Sequence, residues 1–465
     1  MPLLLSKYIA RVRSVETIHY VGRVTAVRGM LIESTGPRAV IGELCTIRGR
    51  AGGMTGNGMP AEVVGLYGAT VQLMPYGDTK GIEIGCEVVA SGTVLQIGVG
   101  NNLLGRVLDA MGHARDGKGE VIPEDYYPVI ASAPDPLERR PVRERIVTGV
   151  RAIDSMLALA KGQRIGIFAG SGVGKSTVLS MIARNTNADV NVLALVGERG
   201  REVLDFIKRD LGEEGMKRSV VLYATSDQSA IARLRAAFAA TAIAEYFRDQ
   251  GKDVMLMFDS ITRFAHAQRE IGLSAGEPPA QRGYPPSVFE MIPKLLERAG
   301  TNDKGSITGI YTVLVDGDDM NEAITDKVRG TIDGHIILSR KLAGRFHYPA
   351  IDVLSSISRL ANRVNGANIK RAAAKVQKLI AAYSENEDMI MVGAYQKGSS
   401  AEIDEAIAAH DAIEAFLTQD ETEKCPIDDT MMRLAELSGM EIPREEYESV
   451  LITAEGKTIK NLSAE

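Results

Sequence analysis

Residues 166–177 read GIFAGSGVGKST: four glycines spaced along a turn, then a lysine followed by two hydroxyl residues. The run before it, RIGIFA, is apolar, and the run after it, TVLSMIARN, has the composition of a helix. Glycines at these spacings let successive backbone N–H groups turn inward around phosphate oxygens where a strand hands over to a helix. No other stretch constrains the chain so tightly, because it requires a strand, a sharp turn, a helix start and a ligand carrying several phosphates. AGSGVGKS, from Ala169 to Ser176, fits the phosphate-loop pattern with alanine in place of the usual first glycine, a change that asks only for a small residue. In that pattern Lys175 reaches the terminal phosphates and the Ser176 hydroxyl ligates magnesium.

Two further apolar runs end on acids. DVMLMFDS closes on Asp259, and NVLALVGERGREV brings Glu198 just past a strand end, between a glycine and Arg199. A lone acid at such a place usually caps a helix, but a phosphate loop in the same sheet gives it a second use, organising magnesium through water. Asp259 is therefore the expected metal-site aspartate, alongside Ser176. Hydrolysis also needs a group that polarises a water beside the outer phosphate, which a carboxylate on a rigid strand end supplies. Glu198 is the expected general base; its competing reading is a surface salt bridge to Arg199 and Arg201.

The chain has 465 residues, enough for roughly two to four domains with real cores. A net charge of -6 with both signs intermingled argues against a protein that mainly coats nucleic acid or an anionic membrane. Cys45, Cys86 and Cys425 lie far apart with no CxxC pair, so reduced thiols are expected. No apolar run approaches the roughly 20 residues that cross a bilayer, and MPLLLSKYIARVRS is charged too soon for a signal peptide. After the segment 1–19, short alternating runs over 20–98 predict a small antiparallel β-barrel. The Gly-, Pro- and charge-rich stretch 99–141 reads as a connector crossing a surface. Over 142–365, RIGIFAG, NVLALVG, SVVLYAT, DVMLMFD, GIYTVLVD and GHIILSR alternate with helical segments, which predicts a mainly parallel sheet covered on both faces. Ligands of such sheets bind beyond the carboxyl ends of the strands. Over 366–465 the spacing is helical, with Ile369, Ala372, Ala373, Val376, Leu379, Ile380 and Tyr383 on one stripe, and Ile403, Ala406, Ile407, His410 and Ile413 on a second. The fold class is multidomain α/β.

The segment from ERRPVRERIVTGVRAID through the phosphate loop to VGERGREV resembles the core of rotary-type ATPases, and within them the type III protein-export ATPases, including the flagellum-specific one. GEPPAQRGYPPSVFEMIPKLLERAG, YTVLVDGDDMNEAITDKVRGTIDGHIILSR, YPAIDVLSSISRL and the barrel run VGRVTAVRGMLIESTG continue the likeness from about Gly22 to beyond Arg359. The resemblance implies an N-terminal barrel, a RecA-like P-loop domain and a helical C-terminal domain, assembled as a ring of six with nucleotide at the subunit boundaries. By matching positions it implies ATP held by Ala169, Gly170, Ser171, Gly172, Val173, Gly174, Lys175, Ser176 and Thr177, with Arg199, Arg263 and Tyr348 nearby, the last beside the adenine. It implies magnesium at Ser176 and Asp259, and water activation at Glu198. Arg359 in LSSISRL matches the arginine that related rings insert into the neighbour's site; read from the residues alone, pairing with an acid on its own subunit is the favoured reading, and the resemblance overturns it. A guanidinium suits that task because it stays charged and presents a rigid fork to phosphate oxygens.

The implied function is an ATP hydrolase of a bacterial type III export apparatus, releasing and unfolding export substrates at the cytoplasmic face of the inner membrane. The implied partners are a peripheral-stalk regulator, a central stalk protein, chaperones with their substrates, and the membrane export gate. The run AYSENEDMIMVGAYQKGS favours the flagellar apparatus over the virulence type. A non-catalytic ring subunit would lack the carboxylate that Glu198 provides. The catalytic subunit of an ion-translocating ATP synthase shares the chemistry, but the barrel and AGSGVGKST lean to the export branch. An RNA-translocating hexamer would need a basic, aromatic platform, and the barrel segment has no tryptophan and few aromatics, so no nucleic acid is expected. Leu3, Leu4, Leu5, Ile9 and Val12 fit a regulator-binding amphipathic helix or a frayed leader equally.

Overall fold

The computed structural model describes residues 21–49, 58–315, 317, 319–447, 450–452 and 458–460. The amphipathic stripe expected within 1–19 lies outside the described residues. The first domain is a closed barrel of six strands, β1 (Val21–Arg28), β2 (Leu31–Thr35), β3 (Glu43–Arg48), β4 (Met59–Tyr67), β5 (Thr70–Pro75) and β6 (Glu87–Val94). They run in the order β1-β2-β5-β4-β3-β6, and β1 closes on β6. Alternation places Val24, Ile32, Cys45, Ile47, Val63, Leu73 and Val88 inside, all buried, so the period of two seen in sequence is the barrel's in–out alternation.

The second domain is built on one long sheet. In chain order its main strands are β7 (Val107–Leu108), β8 (Arg164–Ala169), β9 (Val190–Val196), β10 (Ser219–Ala224), β11 (Asp253–Asp259), β12 (Ser306–Leu314), β13 (Gly334–Leu338) and β14 (Ile351–Ser358). Their spatial order is β14-β13-β8-β12-β11-β9-β10-β7. Neighbours from β7 to β13 are parallel; β14 is antiparallel to β13, and a two-residue strand, Gly300–Thr301, is antiparallel to β12 off the main path. Strand β9 is buried at every residue, as expected of a strand with helices on both faces. Each buried Val, Leu or Ile contributes roughly 1.5–3 kcal/mol. The helix Ala230–Asp249, capped by Ser229, is alanine-rich and buried over most of its length, so it lies close against the sheet. The three cysteines are free and buried.

The stretch 99–141 is more than a surface run. Residues 107–108 form the edge strand β7, Asp125–Pro128 pairs with Gln96–Val99 outside the barrel, and Leu103, Leu108, Ala110 and Val129 are buried. Its Gly and Pro content hides these strands because two- and four-residue pairings leave no period to read. The third domain packs Ala367–Met391, Ala401–Leu417 and Ile427–Ser438. The stripe from Ile369 to Leu379 is buried, whereas Ile407 is exposed. The antiparallel ribbon of Val450–Ile452 with Thr458–Lys460 was not anticipated by the helical spacing.

Buried arginines join the domains. Arg151 donates to the Phe416 carbonyl at 2.8 Å and to the Thr418 carbonyl at 2.5 Å, and its backbone N–H donates to Gln419 Oε1 at 2.9 Å, tying the helical domain to the sheet domain. Between barrel and sheet domain, Arg235 Nε donates to Glu62 Oε2 at 2.8 Å, and the Tyr76 hydroxyl donates to the same oxygen at 2.8 Å. Both charges are buried, so removing one strands the other in a poorly solvating interior. Glu62→Ala is expected to destabilise the barrel junction by about 3–5 kcal/mol, read as a lower denaturant midpoint, and the pair Glu62→Leu with Arg235→Met to recover most of it. An unchanged midpoint for Glu62→Ala contradicts this account of the junction.

Candidate active site

Strand β8 ends at Ala169, and the chain turns through Gly170–Gly174 into the helix Lys175–Asn185. Gly172 and Gly174 hold φ of 80° and 91°, a region where a side chain is strained, so glycine is required at both. Ala169 and Val173 are buried, anchoring the loop at each end, while Ser171, Gly172 and Ser176 are exposed and Thr177 is half-buried. The loop thus presents its backbone and the Ser176 hydroxyl outward from a fixed base. Gly170 has a different reason to lack a side chain: a Cβ there would fall 2.6 Å from Nη2 of Arg340, whose guanidinium lies over the loop's first peptide.

The sheet register brings the sequence-predicted acids to the same end. β9 and β11 are adjacent, and both terminate beside β8's carboxyl end, with β12 between β11 and β8. Lys175 Nζ is bonded to Asp259 Oδ1 and lies 3.6 Å from Glu198 Oε1, with only 12% of the lysine and 13% of the glutamate side chain exposed. Burial works to lower the lysine's pKa, but the charges of Asp259 and Glu198 outweigh it and hold the ammonium above its ordinary value. Glu198 is pushed up to about 7, by burial first and then by the charge of Asp259, with Lys175 opposing. Its Oε1 accepts no hydrogen bond, and the nearby Arg263 Nε is likewise buried without a partner among the described residues. Arg263 reaches this position because Gly197 carries no side chain: a Cβ there would lie 2.8 Å from that of Arg263.

The other expected site residues divide. Tyr348 lies beside the loop, its ring 3.7 Å from where a Cβ on Gly174 would stand, and its carbonyl accepts from the Gln419 N–H at 2.8 Å. Arg199 points away into solvent, with an 80% exposed side chain 3.5 Å from Glu202. Arg359 is not in its own subunit's cluster at all. It follows β14, where Ser358 is level with Gly334 and the Arg359 N–H donates to the Asp333 carbonyl at 3.0 Å. Asp333 pairs with Arg164, the first residue of β8, so Arg359 stands at the amino edge of the sheet and the loop at the carboxyl edge, about 17 Å away along six residues of strand. That exceeds the reach of an arginine side chain. Arg359 is exposed and has no ion pair among the described residues, so the reading as a same-subunit salt bridge does not hold.

Three contributors escaped the sequence reading. Thr312 donates its hydroxyl to Asp259 Oδ1 at 2.8 Å from the neighbouring strand. Glu202, in the first turn of the helix that follows, lies beside the Glu198 carboxyl and adds to the rise in its pKa. Arg340 follows β13 directly, the strand beside β8. A separate cleft of about 980 Å3, lined by Val107, Arg115, Lys118, Val203, Ile207 and Met216, contains none of the loop residues.

The cluster fits a polyphosphate and a hard divalent cation. The loop offers backbone donors and a lysine, and Arg263 offers an unused buried donor. Ser176 and Asp259 are oxygen donors of the kind magnesium takes one or two at a time, completing its shell with phosphate oxygens and water. Among the described residues no group of three or more His, Cys, Asp or Glu converges on a point.

The raised Glu198 pKa has a consequence for stability. Folded and unfolded chains both hold the proton below about pH 4.5, and the folded chain gives it up only near 7, so ionisation erodes stability as pH rises between these values. Glu198→Gln is expected to melt above the parent at pH 8, with the gap closing by pH 5; a gap of the same size at both pH values contradicts the shift.

Comparison with known proteins agrees with this geometry. Residues 149–358 match the nucleotide-binding domain of the ATP synthase alpha/beta family, and 24–92 match that family's beta-barrel domain. Residues 367–436 match the T3SS EscN ATPase C-terminal domain. The flagellum-specific ATP synthase of Treponema pallidum (strain Nichols) is 60% identical over 439 residues, spanning 94% of this chain and 98% of its own. The assembled ATPase EscN of the enteropathogenic E. coli type III secretion system superposes with a TM-score of 0.85 at 42% identity, over 90% of this chain and 100% of that one. EscN in complex with its central stalk EscO gives 0.83 at 42%, with the same coverage. A barrel, a parallel-sheet nucleotide-binding domain and an EscN-type helical domain in one chain, with these identities along nearly its whole length, establish that the chain belongs to the ATPases of flagellar and type III protein export, within the ATP synthase alpha/beta family.

Proposed function

We propose that this chain hydrolyses ATP as one member of a ring of six, each catalytic centre being completed by the neighbouring copy, and that the work drives chaperone release and substrate unfolding for flagellar export. The observation that carries this reading is the split arrangement: Lys175, Asp259 and Glu198 converge at one edge of the sheet, and Arg359 is presented at the other.

In this reading the loop from Ala169 to Thr177 wraps the phosphates, and Lys175 turns from Asp259 to the phosphate oxygens as these arrive. Ser176 and Asp259 would hold magnesium, which when bound would neutralise phosphate charge. Glu198 orients the attacking water and takes its proton, a task for which a carboxyl near pH 7 is well matched. Arg263 donates its spare N–H beside Glu198, and Tyr348 stacks near the adenine. Arg199, exposed at the mouth, contributes charge at the subunit boundary. The partner's Arg359 stabilises the transition-state charge. Such an arginine finger is worth about 10³ to 10⁵ in rate, or roughly 4–7 kcal/mol of barrier.

The wider setting rests on the relatives. The 60% identity to a flagellum-specific protein favours the flagellar apparatus, and the assembled EscN and its complex with EscO support a self-assembling ring around a central stalk. A peripheral-stalk regulator, chaperone-bound substrates and the export gate complete the proposed partners. No described helix is long and apolar enough to cross a membrane, so the proposed place at the cytoplasmic face of the inner membrane is a peripheral one.

The test uses two variants. Arg359→Ala and Lys175→Ala are each expected to lose at least about 10³ in turnover while Arg359→Ala keeps its nucleotide affinity. Mixed together they are expected to regain activity, since some boundaries join an intact cradle to an intact finger. No recovery in mixtures shown to co-assemble contradicts the shared centre.

A further inference from the structure

Strand β12 runs between β8, which leads into the phosphate loop, and β11, which ends on Asp259. Ile167 on one side and the residue after Phe258 on the other are level with Thr312, so this threonine stands one strand from both halves of the site. It is wholly buried. Its neighbours in the strand, Tyr311 and Val313, are equally buried, and valine would match its shape and its β preference. A buried hydroxyl is costly unless it is hydrogen-bonded. Here it donates to Asp259 Oδ1 at 2.8 Å, the same oxygen that holds Lys175. Oδ2 accepts no hydrogen bond among the described residues.

We infer that Thr312 is a positioning residue for the cation site: its hydroxyl anchors one oxygen of Asp259 so that the other stays aimed for the metal and its waters. The inference rests on the reading of Asp259 as the metal-side carboxylate. The terminal torsion of an aspartate is broad and nearly two-fold, so its carboxylate keeps one orientation only if something holds it. Lys175 cannot be that anchor throughout the cycle, because it leaves Asp259 when it engages phosphate. Thr312 sits on a central strand with nowhere to go, and it remains on Oδ1 after the lysine departs. Partners that hold a metal-site carboxylate commonly matter about 10-fold or more for metal affinity.

The probe is Mn2+, bound to the full chain together with a non-hydrolysable ATP analogue and followed by its paramagnetic resonance. Analogue binding without metal is measured in parallel by fluorescence. Thr312→Val is expected to weaken Mn2+ binding about 10-fold while leaving metal-free analogue binding unchanged, and Thr312→Ser to restore most of the loss. Thr312→Ala, which adds no bulk, is read the same way should valine disturb the strand. Wild-type Mn2+ affinity in Thr312→Val, with Asp259→Asn strongly impaired, overturns the role of Thr312 alone. Wild-type Mn2+ affinity in Asp259→Asn overturns the metal reading of Asp259 and this inference with it. An equal loss of metal-free binding in the valine and alanine variants marks a packing role and also overturns it.

Discussion

A parallel sheet has two unlike edges, and the polarity of this one governs where every charged group of the site falls. From β7 to β13 the strands share a direction, so the phosphate loop, Glu198 and Asp259 emerge together although they are spread over 90 residues of chain. The exception, β14, runs back along β13 and delivers Arg359 to the amino edge. One reversed strand therefore separates the cationic group from the anionic cluster within a subunit. A ring in which the amino edge of one copy meets the carboxyl edge of the next brings them together again.

Within the cluster, burial and charge act against each other in a useful way. A lysine and two carboxylates enclosed together are costly to desolvate, and the cost falls on Glu198, whose buried Oε1 is left without a hydrogen bond among the described residues. Asp259 has Thr312 as well as Lys175, so it is the better satisfied of the two acids. The two carboxylates hold Lys175 charged against its burial, and burial together with the charge of Asp259 lifts the Glu198 carboxyl towards neutrality. Two acids in one pocket thus acquire different properties from their surroundings, one suited to holding a cation and the other to accepting a proton.

Much of this was legible from sequence because it depends on local patterns. The loop glycines, the apolar runs ending at Asp259 and just before Glu198, and the barrel's alternation all announce themselves within a dozen residues. What was not legible depends on register between distant strands. Thr312 sits in GIYTVLVD, where a β-branched residue looks like ordinary filler, and only the alignment of β12 with β11 shows what its hydroxyl meets. The raised pKa of Glu198 comes from its burial in the folded chain and then from Asp259, 61 positions later. Arg340 over Gly170 requires the end of β13 to sit beside β8. The short strand Val107–Leu108 is hidden in a glycine-rich stretch, since two residues carry no period. Arg359 was placed by likeness to known rings; its distance from its own loop is a property of β14's direction that no local pattern encodes.

The central claim, that a lone subunit lacks a complete catalytic centre, is tested most directly by measuring ATP turnover per subunit across a wide range of protein concentration while sedimentation reports the assembled fraction. The account predicts turnover per subunit close to zero where the chain is monomeric, rising in step with assembly. Turnover per subunit that stays constant into the fully monomeric range would contradict it.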